Sequence, residues 1–266
     1  MSWPLFKANI RANRFIWILM FLIFVMYIGI MISMFDPDQV ESMKAMMEML
    51  PEAFVKMLQF DTFGTTLVGF IAGSLYGFLV YLFPVVLSVV VNHRVIASLV
   101  DKGSMTYLLA SPNSRIKIAS TQALFSILSI TLYFTCVTIA GLLFSELMYP
   151  GELDLLVWVQ LNLYAILNFL AIGSIGFCVS ALSNESKLSL GLGIGIPVTF
   201  MILQMLGNAD DRLAWIGNLS MYALFDPIKL VNGDSFVIFG SILFVIIAVI
   251  LYSAGIIIFN KKNMYV

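Results

Sequence analysis

Six apolar runs, none holding an Asp, Glu, Lys, Arg or His, constrain this chain more than anything else in it. They are Phe15–Phe35, Thr65–Val91, Ile118–Phe144, Leu155–Leu182, Leu188–Leu206 and Phe236–Phe259, from 19 to 28 residues long. A helix rises about 1.5 Å per residue, so about 20 apolar residues cross a hydrocarbon core roughly 30 Å thick. A strand of that length with open edges would leave its backbone polar groups unpaired in lipid, so the runs are read as helices. The chain is 61% hydrophobic and only 11% charged, which leaves no polar surface for a water-soluble domain. The expectation is an all-α integral membrane fold: a single transmembrane domain over residues 1–266 with six transmembrane helices. The first run is longer than the 7–15 residues usual in a signal peptide, and Asp36-Pro37-Asp38 follows it where small residues would mark cleavage. It is read as a retained helix.

Charge sets the orientation. With six crossings both termini share a side, and ten of the 14 Lys and Arg residues fall there: Lys7, Arg11, Arg14, Arg94, Lys102, Arg115, Lys117, Lys187, Lys261 and Lys262. The opposite side holds Lys44, Lys56, Arg212 and Lys229, together with 13 of the 15 acids. Basic residues accumulate in cytoplasmic loops, so both termini are expected in the cytoplasm. Ser2–Arg14 mixes Trp3, Leu5, Phe6 and Ile10 with three basic residues, the pattern of an N-terminal interfacial helix or, more simply, of a basic anchor.

Candidate chemistry is sparse. Cys136 and Cys178 lie inside apolar runs and read as small hydrophobes, and His93 has no partner ligand at metal spacing. The outer amphipathic loop, 36–64, carries Val40, Met43, Met47, Leu50, Phe54 and Leu58 at helical spacing, with Pro51 as a break. Met43, Met46, Met47 and Met49 suit a soft metal, but no Cys or His supports them, so no metal site is expected. No HExxH or GxSxG motif and no paired intramembrane carboxylates occur, so no catalytic residue is assigned. In the fifth run Gly191, Gly193, Gly195 and Pro197 read as small residues for close helix approach with a kink, because a phosphate-binding glycine loop needs a preceding strand. Gln160, Asn162 and Asn168 in the fourth run are polar residues that either bond between helices or line a path. Ion-coupled carriers place ionisable groups near the membrane midplane; the six runs have none, so any energy must come from elsewhere.

The most informative loop is 92–117. After Arg94 it runs through Asp101 and Gly103 into a short segment with Met105, Leu108 and Leu109 apolar, stops at Ser111-Pro112, and re-enters the membrane past Arg115 and Lys117. This loop resembles that of the permease subunits of type-2 ABC transporters, where an acidic residue, Gly-Thr-Leu-Glu, Leu-Leu, Pro and Arg follow one another. Asp101, Gly103, Leu108-Leu109, Pro112 and Arg115 stand at those positions, while Ser104-Met105-Thr106 replaces Thr-Leu-Glu and Gln122 stands where a Lys often opens the next span. The ending Phe259-Asn260-Lys261-Lys262-Asn263-Met264 is similar to the family's short basic tail.

The resemblance implies the membrane domain of a type-2 ABC exporter in a bacterial cytoplasmic membrane. Loop 92–117 would carry a coupling helix docking on a cytoplasmic ABC ATPase, a separate polypeptide because the chain has no GxxxxGK[ST]. ATP and Mg would belong to that partner, leaving no cofactor in this chain. A second permease, identical or related, would complete the pathway for a hydrophobic or amphipathic compound such as a peptide or drug. Lipid is the other expected partner; nucleic acid is not. A membrane-anchored accessory, sensor or immunity protein is the alternative. A passive channel would need a selectivity filter or charged ring that the sequence does not display.

Overall fold

The computed structural model describes residues 1–36, 46, 49–59, 64–77 and 79–262. Among them there is no strand, and six helices are long and apolar enough to cross a membrane. These are α1 (Trp3–Ser33), α4 (Leu79–Asp101), α6 (Arg115–Met148), α7 (Leu155–Leu182), α8 (Ser186–Ala209) and α11 (Phe236–Lys261). Shorter helices fill the connections: α2 (Glu52–Met57), α3 (Leu67–Tyr76), α5 (Met105–Leu109), α9 (Ala214–Gly217) and α10 (Pro227–Val231).

Helix starts follow capping chemistry. The Ser114 hydroxyl accepts from Lys117 N at the head of α6, and Asp154 accepts from the Leu156 and Val157 amides at the head of α7. Each satisfies amides that have no intrahelical partner.

The second expected span differs from its sequence reading. The run 65–91 is divided: α3 widens into a π turn over Ala72–Tyr76, and α4 begins at Leu79 and continues ten residues past Val91 to Asp101. The Gly73 carbonyl lies so close to where a Cβ on Gly77 would stand that the chain can close on itself there only through glycine. Ser74 bonds back to Phe70 O at 2.6 Å, a contact that competes with regular helix. At 10 residues α3 covers about 15 Å, too short to cross, whereas the 23 residues of α4 reach about 35 Å.

α7 is the central post. It packs against α11, α6, α4 and α8, and 67% of its most apolar stretch is buried, against 11% for α8. Without a hydrophobic drive between helices in lipid, such contacts rest on dispersion, small residues and interhelical hydrogen bonds. Phe169 stacks on Phe134 at 5.4 Å, Tyr76 donates to Asn162 Oδ1 at 2.8 Å, and Asn92 donates to Gly173 O at 2.9 Å. The Ser126 and Tyr252 hydroxyls, 2.9 Å apart, link α6 to α11.

The contacts of α1 trace its course. Trp17 meets Phe125, Phe24 meets Tyr133 and Phe35 meets Tyr149, so this part runs alongside α6. Below it the partner hardly advances: Ser2 N donates to Thr121, Phe6 lies on Phe125, and Asn9 bonds Gln122. The first turns therefore cross α6, as an interfacial segment would, although the helix is continuous from Trp3. Ser2 near Thr121 and Lys262 near Arg115 place both termini at one end of the bundle.

At the other end, the connection from α8 to α11 is folded. Asp210, Ser220 and Asp226 each cap a short helical turn with a side-chain oxygen, and Tyr222 and Phe225 are buried. In the connection between α1 and α3, α2 starts directly after Pro51 and packs on α8, with Glu52 and Lys56 paired at 2.7 Å. Val40, Met43 and Met47 of the expected outer helix lie outside the described residues.

Candidate coupling site at the basic end of the bundle

At the end holding both termini, α4 stops at Asp101 and the chain turns on Gly103, whose φ of +69° favours glycine. Thr106 Oγ1 bonds Gly103 O at 2.6 Å, α5 follows, and Ser111 Oγ bonds Leu108 O at 2.6 Å to close it. The result is a short helix braced at both ends by its own hydroxyls. Because α4 reaches Asp101, the connection is 102–114, shorter than the expected loop 92–117.

Of the residues singled out in this loop, Met105 is buried and Leu108 and Leu109 are half-buried against the chain's own core. The apolar side of α5 thus faces its own bundle, not outward as a docking face would. What α5 presents is Tyr107, 82% exposed, with Lys102 and Pro112 exposed to either side. Sequence reasoning passed over Tyr107; the available signal was an aromatic residue on the side of a short helix opposite its methionine and leucines.

The charged residues hold the loop's posts. Arg94 lies inside α4 and donates to Ala12 O at 3.2 Å, pinning it to α1. Asp101 Oδ2 accepts from Ser186 Oγ at 2.6 Å, and Arg115 donates to Lys262 O at 2.9 Å. The Lys262 ammonium in turn donates to Ala181 O and Ser183 O at 3.0 and 2.5 Å. Burial holds this ammonium below the ordinary lysine value. A cleft lined by Asp101, Gly103, Met105, Thr106, Leu109 and Asn184 opens between α5 and the α7–α8 turn.

The candidate packing or pathway residues are not gathered at one place. Gln160 is exposed near the start of α7, whereas Asn162 is buried, accepting from Tyr76 and donating to Trp158 O at 3.0 Å. Asn168 is fully buried with neither amide atom hydrogen-bonded. Of the three glycines singled out in α8, Gly193 is the one that packs, set against Val89, with Pro197 buried beside the same groove. Gly191 and Gly195, read as approach points, face outward, with no atom within 4 Å of the place a Cβ would occupy. The groove between α4 and α8 is about 140 Å³, and one between α6, α7 and α11 about 420 Å³; both are lined almost wholly by apolar side chains. Among the described residues no group of three or more His, Cys, Asp or Glu side chains is placed to hold a metal ion.

Over residues 6–264 the chain matches a family model described as ABC-2 family transporter protein. No curated protein matches it.

Proposed function

Since the chain belongs to the ABC-2 family transporter proteins, a family of multi-pass membrane permeases that are not themselves catalytic, we propose that it is the membrane half of an exporter driven by a separate ATPase. The reading rests on one observation above others: a five-residue helix, braced by Thr106 and Ser111, stands at the basic end of the bundle with Tyr107 projecting from it. Tyrosine combines large apolar area with a hydroxyl and is a common anchor at protein interfaces.

In this proposal the basic end faces the cytoplasm, the ATPase receives Tyr107 and binds the ATP and Mg, and Asp101, Gly103, Pro112 and Arg115 shape and post the loop. The apolar lining of both lateral grooves supports a hydrophobic or amphipathic cargo. The exposed face of α8, with Gly191 and Gly195 outward, supports a second permease chain packing there.

Co-purification of the chain with its ATPase from membranes tests the central claim. Tyr107→Asp places a charge at the contact without disturbing the core, and Gly103→Pro forces φ to about −65° where +69° is needed. Both variants are expected to reach the membrane and to lose the ATPase. Retention of the ATPase by both would sink the coupling role and leave an accessory or sensor protein as the better account.

A further inference from the structure

Both posts of the loop bearing α5 lead to one short turn. Asp101, the last residue of α4, bonds Ser186 at the head of α8. Arg115, the first residue of α6, holds the carbonyl of Lys262, whose ammonium grips Ala181 O and Ser183 O at the tail of α7. The carbonyls ending a helix have no intrahelical donors and carry the negative end of its dipole, so a cation there is favoured and its hydrogen bonds are charge-assisted. Lys262 is the C-cap of α11, which lies along α7. One residue, through its ammonium and its backbone carbonyl, therefore joins the ends of α6, α7 and α11.

We infer that Lys262 is a positioning residue that ties the loop to the 183–186 turn, so that a displacement of α5 is delivered to α7 and α8 together. The inference rests on the proposed engagement of α5 by an ATPase, but it concerns a different step: not binding of the partner, but relay of its movement. Lys262 does this through two carbonyls it grips and one it offers. Ser186 does it through a single hydroxyl. Cutting either tether leaves α5 and Tyr107 in place while slackening the connection to α7, the post on which most of the bundle packs.

The test uses the full complex with its ATPase in membranes. Asn184 is exposed in the turn and is changed to Cys after Cys136 and Cys178 are replaced. A membrane-impermeant maleimide then reads the turn without nucleotide and with ATP trapped by vanadate, and no transport substrate is needed. The labelling rate in the otherwise unaltered chain is expected to change at least about threefold between the two states, the size of effect carried by a coupling network. Lys262→Met should bind the ATPase as before but lose most of that change, and Lys262→Arg, which can still donate to both carbonyls, should recover it. A merely structural role would lower the amount of complex and leave the nucleotide effect per complex intact. If Lys262→Met fails to reach the membrane, Ser186→Ala decides, since it removes one surface hydroxyl and should also shrink the change. An undiminished nucleotide effect in Lys262→Met or, in that event, in Ser186→Ala overturns the inference. So does a parent chain whose turn ignores nucleotide, and co-purification reports separately whether the ATPase was bound.

Discussion

Gly141 gives the sharpest test of how α6 and α7 meet. A Cβ added there would run into Trp158 Cζ2 and stand 3.0 Å from Cε2 and Cη2. Carbon atoms in contact lie about 3.5–4.0 Å apart, so the indole would have to move by more than about 1 Å. It has nowhere easy to go: Trp158 is fully buried, its Nε1 donates to Thr138 O at 3.0 Å, and Tyr76 packs edge-on at 6.0 Å. Overpacking costs about 1–3 kcal/mol and loss of the indole hydrogen bond about 0.5–1.5, against about 1 gained by replacing a helical glycine. Gly141→Ala should therefore destabilise by about 0.5–3.5 kcal/mol. Gly195→Ala is the matched control, because nothing lies within 4 Å of its Cβ position in the single chain and only the helix gain applies. Equilibrium unfolding of the two variants in mixed micelles, titrated with SDS and followed by tryptophan fluorescence, measures both. If Gly141→Ala unfolds with the parent chain while Gly195→Ala is neutral or stabilising, the packing of α6 on α7 is wrong.

The remaining expectations concern the bundle interior and the orientation. Asn168 buries an amide with no partner, a burden of about 1–3 kcal/mol, so Asn168→Leu should raise stability in the same SDS titration, and a loss above about 1 kcal/mol would mean the amide is in fact bonded. Cysteines at Asn113 and Glu152 should react with an impermeant maleimide from the cytoplasmic and the outer face respectively, the two residues lying at opposite ends of α6. The reverse pattern would refute the orientation read from the basic residues.

Part of this protein can be read in its residues alone. Long charge-free runs can only be helices in lipid, so six spanning helices follow from the sequence. The loop's plan was legible too: Gly103 takes the φ that turns the chain, and the helix ends before Pro112. The folded connection between α8 and α11 left local signals in Asp210, Ser220 and Asp226-Pro227, each a capping residue at a helical start, but they are short beside the hydrophobic runs around them.

Tertiary structure decided which side of each helix faces inward. In water an apolar stripe marks the inner face, but lipid tails are as apolar as Leu, so a spanning helix is hydrophobic all round and its sequence does not declare a side. That is why Gly193 packs and Gly191 and Gly195 do not. It is also why apolar continuity across Gly77 hid the division between α3 and α4. The ties from Asp101 to Ser186 and from Lys262 to Ala181 and Ser183 join residues about 80 positions apart. Hydrogen bonds of such reach exist only once packing has brought the helix ends together.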